Sequence, residues 1–268
     1  MEIDIGKTIR ISDFVHAADG RALLLDTTLP GSIGAVPGLE HTAEALAEVT
    51  DIVDGLIVNP GQAEHHAEFL GGRHRASPLV RVDWTNAFRG QDFCLPATEF
   101  RHLFISDAED ALALGASAAV ASLFLGFDDE AEARNIEALS HLARECTRLA
   151  LPLVVDIRPI GYKVGPSNFE ESVKLGLSFM QELGADVLII PPCSQGTCAT
   201  IGGWIAVPVL VRMEEFPEAA QVDAFLAAGL RGFVLGEKVF ARERYAERLE
   251  VLARQVHQRS SSDDARAR

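Results

Sequence analysis

The chain is short of lysine, cysteine and positive charge, and each shortage narrows what it can be. Its 268 residues include only four lysines, Lys7, Lys163, Lys174 and Lys238, and four cysteines, Cys94, Cys146, Cys193 and Cys198. A chain of this length buries a core that needs no disulfides. Cys193-x4-Cys198 lacks the spacing of a zinc knuckle. Against 24 Lys and Arg stand 39 Asp and Glu, a net charge of -15. Such a surface repels nucleic acid and anionic membranes, so neither is an expected partner; a local basic pocket for a small anionic substrate remains open. No apolar run reaches the roughly 18 residues of a membrane span, and the opening MEIDIGKTIR has no apolar stretch of signal length. The expected compartment is the cytoplasm. No G-x-G-x-x-G follows the first apolar run, which disfavours an open dinucleotide-binding sheet.

What the chain does have is regular alternation. Short apolar runs fall at 22–27, 55–59, 78–83, 118–124, 153–158, 186–190, 207–212 and 232–236. Each is nearly continuous in apolar residues, as strands buried on both faces of a parallel sheet are. Helical patterns fill the gaps. Ser106 and Glu109 form a capping box ahead of a segment stopped by Gly115. Asp129–Arg148 is amphipathic, Asn168–Leu183 ends at Gly184, and Pro217–Ala228 ends at Gly229. Eight strand–helix units predict an α/β fold, a (β/α)8 TIM barrel of parallel strands. One domain is expected over 1–258, with 1–20 covering the barrel bottom and 259–268, RSSSDDARAR, as a disordered polar tail.

Barrel sites are built at the C-terminal ends of the strands. The polar residues there are Asp26 and Thr27, Asn59, Arg81 and Asp83, Ser122, Asp156 and Arg158, Arg212 and Glu214, and Gly236 to Lys238; Tyr162 and Lys163 follow the fifth strand. Ion pairing alone would account for many of them. Asp26, Asp83, Asp156 and Glu214 could instead hold a divalent ion. With no histidine pair at these ends, magnesium or manganese would suit such a site better than zinc. Cys193, after Pro191-Pro192, has no evident base beside it and reads as a passive thiol.

Several segments carry a resemblance to a known family. GKTIRISDFVHAADGRALLLDTTLPGSIGAVPGLE (6–40) is similar to the opening of the archaeal-type class I aldolases, including the loop that places Ser32, Gly34, Gly38, Leu39 and Glu40. That group holds fructose-bisphosphate aldolase, the aminodideoxyheptulosonate synthases and the autoinducer-2 processing thiolase. ISDAEDALALGASAAVASLFLG (105–126), LARECTRLALPLVVDIRP (142–159), ELGADVLII (182–190) and GLRGFVLGEKVF (229–240) continue the likeness. The resemblance implies a ring-like homo-oligomer and a Schiff-base lysine on the sixth strand, with an aspartate ending the first strand and a tyrosine ending the fifth. Here the aspartate is Asp26, the tyrosine position falls on Arg158, and the lysine position falls on Ile189. Isoleucine cannot form an imine.

The expectation is therefore a divergent aldolase-like lyase for a small anionic keto or sugar-derived substrate, phosphorylated ones included, with no cofactor. Asp26, Lys163, Arg158 and Asp83 are the expected catalytic residues, with Lys163 in place of the missing amine. Thr27, Asn59, Arg81, Asp156, Arg212, Gly236 and Lys238 are the expected substrate-binding residues. A carboxylate- or metal-assisted isomerase or lyase, and a non-catalytic binding or scaffold barrel, are the alternatives.

Overall fold

The structure is a computed structural model that describes residues 5–72 and 74–257. Eight parallel strands close a barrel: β1 (Ala22–Asp26), β2 (Gly55–Val58), β3 (Ser77–Arg81), β4 (Ala118–Leu125), β5 (Leu153–Pro159), β6 (Val187–Ile190), β7 (Val209–Met213) and β8 (Gly232–Leu235). Neighbours in sequence are neighbours in the sheet, and β1 meets β8 at a seam that pairs Ala22 with Gly232. All eight apolar runs thus become barrel strands. Gly232 needs to be glycine, because its φ is +133° and a Cβ there would lie 1.9 Å from the Ala22 carbonyl oxygen.

Helices pack outside, between strands that they shield from water. Asp129–Arg148 is capped by Asp128 and buries Leu139, Leu142, Ala143 and Cys146. Phe169–Leu183 stops at Gly184, which is left-handed with φ +90°. Two helix starts differ from the sequence reading. The first of these helices is Ala108–Ala113, boxed by Asp107 and Asp110 rather than by Ser106 and Glu109. The second is Ala219–Ala227, which follows a Glu218 cap and leaves Pro217 outside. The aspartate and glutamate lie where the chain turns into each helix, and their carboxylates accept the open N–H groups.

A feature not foreseen is an antiparallel hairpin of Asp83–Thr85 and His102–Phe104, set on the top of β3. It carries the segment 86–101 over the barrel mouth. At the other end, Phe14 and Val15 pack against an interior layer to which every strand contributes: Ala22, Leu24, Ile57, Leu79, Ala118, Val120, Val154, Val187, Ile189, Leu210 and Val234. The helix Ile5–Ile11 is fixed below this layer by Lys7, whose Nζ donates to Asp186 at 2.8 Å. The tail 259–268 lies outside the described residues. No helix among the described residues is long and apolar enough to cross a membrane.

Candidate active site

Side chains alternate along a strand, so the residue two positions above an inward aliphatic also points inward. Above Leu24 stands Asp26, above Leu79 Arg81, above Val120 Ser122, above Val154 Asp156 and then Arg158, and above Leu210 Arg212. These groups bond to one another. Arg81 lies at the centre: Nη2 is 3.0 Å from Asp26 Oδ2 and 3.6 Å from Asp156 Oδ2, and Nη1 is 3.3 Å from Asp83 Oδ1. It also donates to Thr28 Oγ1 at 2.9 Å and Ser122 Oγ at 2.8 Å. Arg212 Nη2 donates to both Asp26 and Asp156 at 2.7 Å. Arg158 Nε donates to Asp156 at 2.9 Å. Three guanidinium groups thus meet three carboxylates, and the buried charges cancel.

That balance sets the ionisation of the cluster. Burial alone would raise the Asp26 carboxyl, but Arg81, Arg212 and two hydrogen bonds from Thr28 hold it far below the ordinary carboxylate range. Burial opposes ionisation of Asp83 as well, yet the hydrogen bond from His102 and the charge of Arg81 bring it down to about 2. His102 Nε2 lies 2.9 Å from Asp83 Oδ2, and its other nitrogen lies 3.3 Å from Asn135 Nδ2. Asn135 in turn joins Ser122 and Phe124 of β4. Glu237 goes the other way. Burial and the negative charge of Asp26 push it up to about 7, while its Oε1 accepts the Leu29 N–H at 2.8 Å.

Over this floor opens a pocket of about 90 Å³. Asp26, Asn59, Arg81, Asp83 and Arg158 all line it, as do Glu214 and Glu237. Trp84 and Phe88, from the hairpin and the segment beyond it, form an aromatic wall. The Arg158 guanidinium lies 5.6 Å from the Phe88 ring centre. Burial and the nearby Arg212 lower its pKa, and among the described residues only its Nε has a hydrogen-bond partner. The terminal nitrogens of Arg158 are thus open donors at the pocket.

Other expected site residues do not converge. Lys163 is exposed, and its Nζ pairs with Asp129 at the start of an outer helix, which raises its pKa. The cause is backbone packing. Lys163 N–H donates to the Gly126 carbonyl, and Gly161 lies so close to Gly126 that a Cβ would meet its carbonyl carbon at 2.0 Å. The loop is pinned against the end of β4 and cannot bend over the mouth. Lys238 is exposed at the rim, 4.0 Å from Glu214. Thr27 points away from the pocket and bonds the Ile57 carbonyl at 3.0 Å. Asp156 and Arg212 lie in the floor rather than on the pocket wall, and two of their atoms, Asp156 Oδ1 and Arg212 Nε, are buried with no hydrogen-bond partner among the described residues. Gly236 contributes space, since a Cβ there would come within 3.1 Å of Glu214 Oε2. Cys193 packs against the outer core, and burial pushes its thiol up to about 12, in keeping with a passive role. One oxygen each of Asp26, Asp83 and Asp156 is paired with arginine, so a cation at these carboxylates would have to displace guanidinium groups.

Sequence reasoning missed Glu237, Trp84 and His102. Glu237 was legible only as a rim residue, although its place one position after the end of the eighth run was a usable signal. No family model matches the chain. The 2-amino-3,7-dideoxy-D-threo-hept-6-ulosonate synthase 1 of Archaeoglobus fulgidus is 24% identical over 94% of this chain and 92% of its own. The class 1 fructose-bisphosphate aldolase of Thermoproteus tenax is 30% identical over 56% of this chain and 59% of its own. The crystal structure of an archaeal fructose 1,6-bisphosphate aldolase superposes with a TM-score of 0.76 at 23% identity, covering 94% of this chain and 100% of that one, which shows a shared fold. The chain is thus similar in sequence to these two enzymes and shares the closed barrel of the archaeal aldolase.

Proposed function

We propose that this chain is an aldolase-like lyase for a small anionic keto or sugar-derived substrate, phosphorylated ones included, and that it works without an imine on β6. The observation that carries the reading is Arg158: a guanidinium at the pocket wall whose terminal nitrogens have no hydrogen-bond partner among the described residues. Position 189 is an isoleucine inside the apolar layer, so no amine is offered there to a ketone. Retro-aldol cleavage then needs two services. A base takes the proton of the substrate hydroxyl, and a cation holds the enolate left when the carbon–carbon bond breaks. Glu237, with its carboxyl near 7, is suited to take that proton and return it to the enolate carbon. Arg158 supplies the positive charge opposite the developing oxyanion or the substrate's own anionic group. Asp26 stays ionised and keeps Arg81 and Arg212 in place.

The test is a panel of phosphorylated keto sugars, followed for cleavage products with borohydride present and absent. Cleavage without a lysine adduct in the intact mass is expected. Arg158→Ala should weaken substrate binding about tenfold or more, the worth of one charge-assisted hydrogen bond. A trapped lysine adduct on a substrate that turns over would overturn the imine-free reading.

A further inference from the structure

We propose that His16, Asp19 and His257 form a binding site for a divalent transition-metal ion, zinc by preference, on the barrel face opposite the pocket. Among the described residues this is the one place where three metal-ligating side chains gather, with ligand atoms all within 4.8 Å of one another. The chain builds the site from distant parts. His16 and Asp19 sit on a tight turn before β1. The turn is closed by Gly20 N–H and His16 N–H, which donate to the His16 and Arg21 carbonyls at 2.7 Å each. Gly20 has φ +68°, which lets the turn close. His257 ends the last helix, Tyr245–Val256.

Asp19 and His257 are already aimed. Asp19 Oδ1 accepts the Arg21 N–H at 2.9 Å, which leaves Oδ2 directed at His257 Nδ1, 2.8 Å away. On the far side of that ring, Nε2 lies 2.9 Å from Asp54 Oδ2, and the same oxygen accepts the Leu23 N–H at 2.7 Å. A histidine with one nitrogen toward the ion and the other on a carboxylate is how metal-ligating imidazoles are commonly oriented. The His16 ring lies 5.2 Å from the His257 ring. An imidazole ligates a metal in its neutral form, and a site built so leaves the negative charges of Asp19 and Asp54 for a divalent ion to neutralise. Two nitrogens and one carboxylate oxygen, with water completing the sphere, suit zinc among the divalent metals. On binding, the proton held between His257 Nδ1 and Asp19 Oδ2 leaves to solvent.

The test uses the full chain, stripped with chelator and titrated with zinc by calorimetry, and with cobalt(II) by visible absorption. One zinc per chain and the d–d bands of a low-symmetry cobalt site are expected. His16→Gln and His257→Gln should abolish both, and Asp54→Asn should weaken zinc binding by about 10- to 100-fold. His65→Gln, at an exposed histidine elsewhere, should change neither. Should His257→Gln fail to fold by circular dichroism, His16→Gln on its surface turn decides. No zinc uptake, or uptake undiminished in His16→Gln, would overturn the site. None of these residues lines the pocket, so the outcome is independent of the reaction.

Discussion

Below the level of Asp26 the barrel interior is filled by aliphatic side chains from every strand, and Phe14 and Val15 seal it. One step higher, the inward positions of β1, β3, β5 and β7 are all charged, and they close on one another. Both layers are buried, yet they fail in different ways. An aliphatic layer loses a little contact when one side chain shrinks. A balanced ionic layer loses its neutrality when one member goes, and the remaining charges are left in a low dielectric. The register sets Ile189 of β6 beside Asp156 and Leu210, at the boundary between the two layers.

The sharpest way to break the contrast is Asp156→Ala, which leaves Arg158 and Arg212 without their shared carboxylate. Loss of a buried partner should cost about 3–5 kcal/mol in chemical denaturation. A cost below about 1 kcal/mol would mean the floor is not held by charge pairing. Next comes Glu237. Its carboxyl is raised from 4.5 to about 7 in the folded chain, so folding favours the protonated form. That contribution is full below the unfolded value and is lost as pH rises through about 7, by on the order of 3 kcal/mol at most. Glu237→Gln should remove this part of the stability–pH profile, and an unchanged profile would place the titration elsewhere. Smallest is Ile189→Val in the aliphatic layer, expected to cost about 0.5–1.5 kcal/mol. A larger loss would mean the two layers are coupled at that position.

The strands were legible because burial on both faces leaves no room for polar alternation, and all eight apolar runs became strands. Asp26, Arg81 and Arg158 were legible by the same counting, since a polar residue at a buried strand end must face its own kind. The hairpin was not, because its strands are three residues each and lie 16 residues apart, joined by a segment with no periodicity. Lys163 was expected in place of the missing amine, but no local pattern reveals that Gly161 makes close backbone contact with Gly126. Glu237 was underrated because only the fold brings the Leu29 N–H, 208 positions earlier, to its carboxylate.

The seam between β1 and β8 bears on how the chain is made. Ala22 pairs with Gly232, 210 positions later (232 − 22). Synthesis at about 5–20 residues per second makes β1 wait roughly 10–40 s for that partner. Throughout that interval the edge of β1 that will face β8 is an apolar strand with unpaired N–H and C=O groups, the kind of edge that templates aggregation. A ribosome that stalls or stops before residue 232 therefore releases a sheet open along both β1 and β7. The newly made chain is then most exposed to self-association in the long interval before its last strand emerges.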